Sequence, residues 1–310
     1  MILKSGFKTA IFTPLLVAVV FALILASAYL PADSLGLNEN PYLAVVVIQL
    51  LTYAIPALFY CRVRGREFTP KLRLRLFRPA KLLYLFYITV FMVSGVALLS
   101  ILCYTAAPDA FVEAGAVSNA AFAMNGRFFD VVYIVVAFAV LPAITEEFLF
   151  RGIILGEYES NGAVFASVMS ALMFAMAHFS PARLPVYIFS GLVLAAVAYA
   201  TRSVIASMIV HAINNSVVLL SEKYVLHMVD KQNVSFVLFV MILALVFILG
   251  GMLSSFEAHG IYRGYSETNV QSPYATGKKR SILARVAQNF FSPTFLLLVI
   301  TFVVVSVINS

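Results

Sequence analysis

Six residues in the middle of the chain have the types and spacing to do chemistry. Glu146, Glu147 and Arg151 follow an apolar run that begins near Val131, in Pro142-Ala143-Ile144-Thr145-Glu146-Glu147-Phe148-Leu149-Phe150-Arg151-Gly152. His178 closes Phe174-Ala175-Met176-Ala177-His178, and His211 opens His211-Ala212-Ile213-Asn214-Asn215, both inside apolar runs. On a helix, Glu147 and Arg151 stack one turn apart and can pair. Glu146 is rotated by about 100° from Glu147 and must look elsewhere. A carboxylate hydrogen-bonded to a histidine can take a proton from water. A second histidine with an asparagine one turn away can supply donors to a developing oxyanion. These parts suffice to hydrolyse a peptide bond without a covalent nucleophile. The chain has neither a G-x-S-x-G elbow nor an H-E-x-x-H metal helix.

The elements that must position these residues are membrane helices. The chain has 310 residues, of which 62% are hydrophobic and only 11% charged, against roughly 25% charged in soluble proteins. Nine apolar runs read as spans: about 9–30, 42–61, 82–106, 129–155, 162–179, 183–201, 203–221, 234–252 and 291–309. The fold class is therefore all-α, a polytopic transmembrane bundle. At membrane depth a charged side chain costs roughly 2.5–3.5 kcal/mol, so Glu146, Glu147 and Arg151 must face protein, water or each other. The first run follows Lys4 and Lys8 and reads as a retained span, because it is too long for a signal-peptide core. Cys61 and Cys103 read as buried hydrophobes.

Charge sets the expected orientation. Eight of the 21 basic residues fall in 62–81, where only Glu67 opposes them. Such a cluster between apolar runs marks a cytoplasmic loop and could also hold anionic lipid headgroups. With the N-terminus cytoplasmic, that loop and Lys278-Lys279-Arg280 fall on the same side. The net charge of +7 thus belongs to a membrane surface, and nucleic acid is not expected as a partner. Arg183 and Arg202 read as interfacial snorkelling residues. His227 and His259 lie in connecting segments and receive no role. The chain divides into N-terminal helices with the basic loop (1–128), a core carrying the chemistry (129–221), and C-terminal helices with a polar linker at 254–290.

Helical rise tests whether the candidates can meet. From the turn near 157–160, Glu146 lies roughly 15–20 Å deep and His178 roughly 27 Å. From Arg202, His211 lies roughly 13 Å deep and Asn215 roughly 19 Å. Ordinary helix tilt allows one shared site in the middle third of the bilayer.

Taken in order, Glu146-Glu147-x-x-x-Arg151, Phe174-x-x-x-His178 and His211-x-x-x-Asn215 resemble the three-motif signature of the CAAX amino-terminal protease family, the intramembrane glutamic endopeptidases related to the Ras-converting CAAX prenyl endopeptidase. The resemblance covers about residues 140–216. It implies helices packed around a cavity open to the cytoplasm, with Glu146 and His178 activating water. His211 and Asn215 would stabilise the oxyanion, and Glu147, Arg151 and Phe174 would support the site. It also implies a membrane-associated peptide or protein as substrate, and no cofactor.

Other assignments fit the same residues. Glu146, His178 and His211 form an acceptable zinc set, which would give a metal-dependent version of the protease. Intramembrane carboxylates and histidines also serve proton-coupled transport, and a scaffold or bacteriocin immunity factor needs no chemistry at all. Taken singly, Glu147–Arg151 is a structural ion pair and His178, before Phe179-Ser180-Pro181, is a helix-end cap. His211 and Asn215 could be interhelical hydrogen-bonding glue, and Phe174 is packing.

Overall fold

The computed structural model describes residues 5–27, 29, 41–113, 128–231, 233–267 and 282–308, and every regular element among them is helical. Lipid offers no partner for backbone N–H and C=O groups, so apolar spans satisfy them within the helix. The elements are α1 (Ser5–Ser27), α2 (41–64), α3 (Leu82–Ala106), α4 (Pro108–Glu113), α5 (128–158), α6 (Ala163–Met176), α7 (Leu184–Thr201), α8 (Val204–Lys231), α9 (Val234–Glu267), α10 (Ile282–Phe290) and α11 (Pro293–Ile308).

Seven of these helices are long and apolar enough to cross a membrane. Two expected spans are shorter: α6 has 14 residues and α11 has 16. The runs at 162–179 and 291–309 include apolar residues that belong to flanking turns. At the other extreme, the polar stretch expected as a linker from Ser254 remains helical through Glu267, and 282–290 is a further helix. Polarity there marks the exit from lipid rather than the end of a helix. Pro31-Ala32-Asp33 and Lys278-Lys279-Arg280 lie outside the described residues.

The basic segment does more than mark a side. It folds into two short 3-10 helices, Arg66–Leu72 and Pro79–Lys81, and clasps one end of the bundle. Arg64 pairs with Glu157 at 2.6 Å and Arg73 pairs with Glu159, both at the end of α5. Lys81 Nζ donates to Thr201 O at 2.8 Å and bonds the Tyr265 hydroxyl, tying α7 to α9. Arg75 Nε donates to Arg202 O at 2.8 Å, and Arg202 stacks over Tyr265. Arg202 is therefore part of this clasp rather than a free snorkelling residue.

The clasp gives six of these helices a direction. The ends of α2, α5, α7 and α9 and the starts of α3 and α8 meet at it. Between the clasp and the bundle centre lies a dense apolar layer that includes Tyr53, Phe68, Leu72, Phe150, Ile154 and Tyr158, all buried. Small residues let α6 and α7 approach within this core. A Cβ at Gly191 would sit 2.8 Å from Ala171 Cα, so α7 can pack there only with glycine.

The helix that carries the acids is irregular. In α5, π-helical turns at Val136–Val140 and Phe148–Ile154 flank the α-helical segment Leu141–Glu147. Pro142 has no N–H and its ring crowds the carbonyl four residues back, which accounts for the first widened turn. Such π turns are frequent at functional positions.

Candidate active site

Glu147 and Arg151 face away from solvent and are fully buried. Arg151 Nη1 donates to Glu147 Oε1 at 2.6 Å, Nη2 donates to Gly191 O at 3.1 Å, and the guanidinium lies over the Phe174 ring at 4.5 Å. The close approach of α7 at Gly191 is what brings that carbonyl within reach. Glu147 Oε1 also accepts from His211 Nδ1 at 2.9 Å. One carboxylate oxygen thus joins α5 and α8 and serves two cations or donors at once. Sequence spacing showed the first partner and could not show the second, which lies 64 residues away on another helix.

That bond fixes the His211 tautomer. A carboxylate oxygen only accepts, so Nδ1 carries the hydrogen and Nε2 faces away from Glu147. Nε2 lies 4.0 Å from Glu146 Oε2. This is too long for a direct hydrogen bond and matches two groups addressing a common small molecule such as water.

His178 lies one turn beyond α6, not inside it. The helix ends because Phe179 adopts a left-handed backbone (φ 48°) and Pro181 follows. A left-handed phenylalanine is unfavourable, and its ring is held by an edge contact with Phe21 at 4.7 Å. His178 Nδ1 donates to Phe174 O at 2.9 Å, satisfying a carbonyl at the helix end. Nε2 is then left as the acceptor. The ring stacks on Tyr187 at 3.8 Å and meets the edge of Phe174 at 4.8 Å. Capping of the helix end by Nδ1 therefore leaves Nε2 of His178 free for the cavity that the residue lines.

A cavity of about 420 Å³ connects these groups. Glu146, His178, His211 and Asn215 all line it, as do Phe174 and Tyr187. Glu147 and Arg151 do not reach it and lie behind the wall. Of the expected supporting residues, Glu147 and Arg151 are thus separated from the four expected to do chemistry, while Phe174 shares their cavity. The cavity also contains groups that motif spacing did not single out. Gln49 of α2 lines it and accepts from Thr145 Oγ1 at 3.1 Å, beside Glu146. Asn214 is buried and lines it, with Oδ1 unbonded among the described residues. A polar residue within the second apolar helix was the available signal for Gln49; Asn214 was hidden behind its neighbour.

At the far end of the cavity Arg183 is buried rather than interfacial. Its Nη1 donates to Glu222 at 2.8 Å, and Nε and Nη2 both donate to Phe111 O, with the guanidinium over the Phe111 ring. Among the described residues no three His, Cys, Asp or Glu side chains are grouped to hold a metal ion. In both His178 and His211 it is Nδ1 that is hydrogen-bonded to the protein, which leaves Nε2 as the free ring nitrogen of each.

Residues 128–217 match the family model described as type II CAAX prenyl endopeptidase Rce1-like. This segment belongs to the CAAX protease family. The CAAX-protease segment contains all three motifs, from the start of α5 to the middle of α8, and leaves α1–α4 and α9–α11 outside. No curated protein and no solved structure matched the chain. Membership supports a CAAX-type membrane protease, and the apolar helices make it an integral membrane protein.

The cavity is set apart from the basic segment. Its far end, at Arg183 and Glu222, lies away from the clasp, and the apolar layer around Phe150 and Ile154 separates the site from the basic loop.

Proposed function

We propose that the protein is an intramembrane endopeptidase that hydrolyses a peptide bond of a membrane-associated protein or peptide by a glutamate-activated water. The observation that carries this reading is the single cavity shared by Glu146, His178, His211 and Asn215, with Glu147 bonded to His211 behind its wall.

In this mechanism water sits against Glu146, and its oxygen attacks the scissile carbonyl carbon as its proton passes to the carboxylate. His178 Nε2 accepts a hydrogen bond from the same water and aims its lone pair. Asn215 donates its amide N–H to the tetrahedral oxyanion. His211 Nε2 is an acceptor in the tautomer held by Glu147, and it faces the attacking water on the side opposite His178. The proton on Glu146 then goes to the leaving nitrogen, and the carbon–nitrogen bond breaks.

The test compares membrane peptides from cells producing wild-type protein with those from cells producing Glu146→Ala, followed by cleavage of the identified peptide by purified protein in lipid. Loss of cleavage in both Glu146→Ala and His178→Ala is expected. Full activity in both variants overturns the reading.

A further inference from the structure

Two cations of the clasp are matched by acids, and four others that cluster together are not. Arg64 pairs with Glu157 and Arg73 with Glu159. Arg75, Arg78 and Arg202 all lie within electrostatic range of Lys81, and none of the four forms an ion pair among the described residues. Backbone carbonyls at the C-terminus of α7 hold the group together. Lys81 Nζ donates to Thr201 O at 2.8 Å, and Arg75 Nε donates to Arg202 O at 2.8 Å. Lys81 also bonds the Tyr265 hydroxyl, and the Arg202 guanidinium lies over the Tyr265 ring at 3.8 Å. A helix C-terminus favours cations but carries only about half an elementary charge, against four positive charges here.

Donors remain on these side chains. Arg75 uses only Nε within the protein, and neither the Arg78 nor the Arg202 guanidinium has a hydrogen-bond partner among the described residues. Guanidinium forks fit phosphate oxygens two at a time, and stacking on Tyr265 engages the face of Arg202 rather than its N–H edge. The cluster stands where α3 begins at Leu82, α7 ends at Thr201 and α8 begins at Val204, and all three are spanning helices. It therefore sits at the level of lipid headgroups. Apolar side chains flank it on the outer surface: Leu76 is 79% exposed, Leu82 57% and Leu83 48%. Cations beside exposed leucines match an amphiphile with an anionic head and acyl chains. A free phosphate ion would use the cations and leave the leucines uncovered.

We propose that Arg75, Arg78, Lys81 and Arg202 form a binding site for the headgroup of an anionic phospholipid, whose acyl chains run along Leu76, Leu82 and Leu83. The lipid phosphate takes the place of the missing carboxylates and completes the tie between the basic segment, α3, α7 and α9. The site is separate from the cavity and does not depend on the protease reading.

Native mass spectrometry tests this on the full-length protein, titrated in neutral detergent with palmitoyl-oleoyl phosphatidylglycerol or with the matching phosphatidylcholine. Wild-type protein is expected to hold one phosphatidylglycerol at least about tenfold more tightly than phosphatidylcholine, since each surface cation is worth roughly fivefold in binding an anionic lipid. Arg78→Gln removes a side chain that takes no part in the clasp, and is expected to weaken the phosphatidylglycerol complex about fivefold at an unchanged melting temperature. Adding Arg75→Gln and Arg202→Gln is expected to bring the loss to about a hundredfold. A control set of Arg62→Gln, Lys223→Gln and Lys231→Gln removes three charges elsewhere and is expected to leave the affinity within about twofold, as a local site requires. Equal affinity for the two lipids, no loss in Arg78→Gln, or an equal loss in the control set overturns the proposal. Displacement of the lipid by millimolar inorganic phosphate overturns it too, by making the cluster a site for free anions.

Discussion

His211 Nδ1 and Glu147 Oε1 are 2.9 Å apart, across an interface between helices that are distant in sequence. The bond turns Glu147 from the partner of Arg151 into the group that sets the histidine's tautomer. It also explains why two adjacent glutamates occur here. One faces the cavity, and the other holds a ring that faces it.

The dual duty of Glu147 separates stability from activity. Arg151→Met leaves a buried carboxylate without its cation and is expected to cost about 3–5 kcal/mol. The double variant Glu147→Leu with Arg151→Met removes both charges and is expected to regain much of that stability, read by thermal unfolding in detergent. Its activity stays low, because His211 has lost its acceptor. Recovery of activity together with stability would show that Glu147 serves only the ion pair.

Tyr187 stacks on His178 at 3.8 Å and shares its cavity, so it fixes the plane of the ring. Tyr187→Phe keeps the stack and is expected to retain most activity. Tyr187→Ala frees the imidazole and is expected to lower kcat by up to about 10²-fold, the order of loss for a misplaced reacting group. Steady-state kinetics on both variants check this, and equal losses would assign the role to the hydroxyl.

How much of this was readable beforehand depends on the range of the interaction. The Glu147–Arg151 pair follows from a four-residue spacing, and α3 runs from Leu82 to Ala106 as its apolar run predicts. The three motifs pointed to one site because helical rise brings them to similar depths. The His211–Glu147 bond, the Tyr187 stack and Gln49 depend on how helices pack against each other, and no local pattern records that. The basic segment was legible as charge but not as a clasp, since Glu157 and Glu159 become its partners only when α5 ends beside it. The widened turns of α5 were not read from the sequence: Pro142 accounts for one, and the turn on the other side of Glu147 has no proline beside it.

Gly191 is set by contact rather than by conformation. A methyl group there would meet Ala171 Cα at 2.8 Å and push α7 from α6, moving the carbonyl that accepts from Arg151. Gly191→Ala is expected to destabilise the protein by about 1–3 kcal/mol, as overpacking does. A measured melting temperature equal to wild type would contradict this.

Asn215 and its neighbour Asn214 both line the cavity, and kinetics distinguish them. If Asn215 donates to the oxyanion, Asn215→Ala is expected to lower kcat by about 10²–10³-fold with little change in KM. Asn214→Ala is expected to have the smaller effect on kcat. The reverse order would give the oxyanion role to Asn214.

The central claim is that Glu146 is the base that activates water. The most direct measurement is the cleavage rate of Glu146→Gln, reconstituted in lipid at matched amount and thermal stability, on a peptide that the wild-type protein cuts. Glutamine keeps the shape and hydrogen bonds but cannot take the proton, so kcat is expected to fall by at least about 10²–10⁴-fold, the usual worth of a general base. A Glu146→Gln protein that cuts at the wild-type rate would contradict the account.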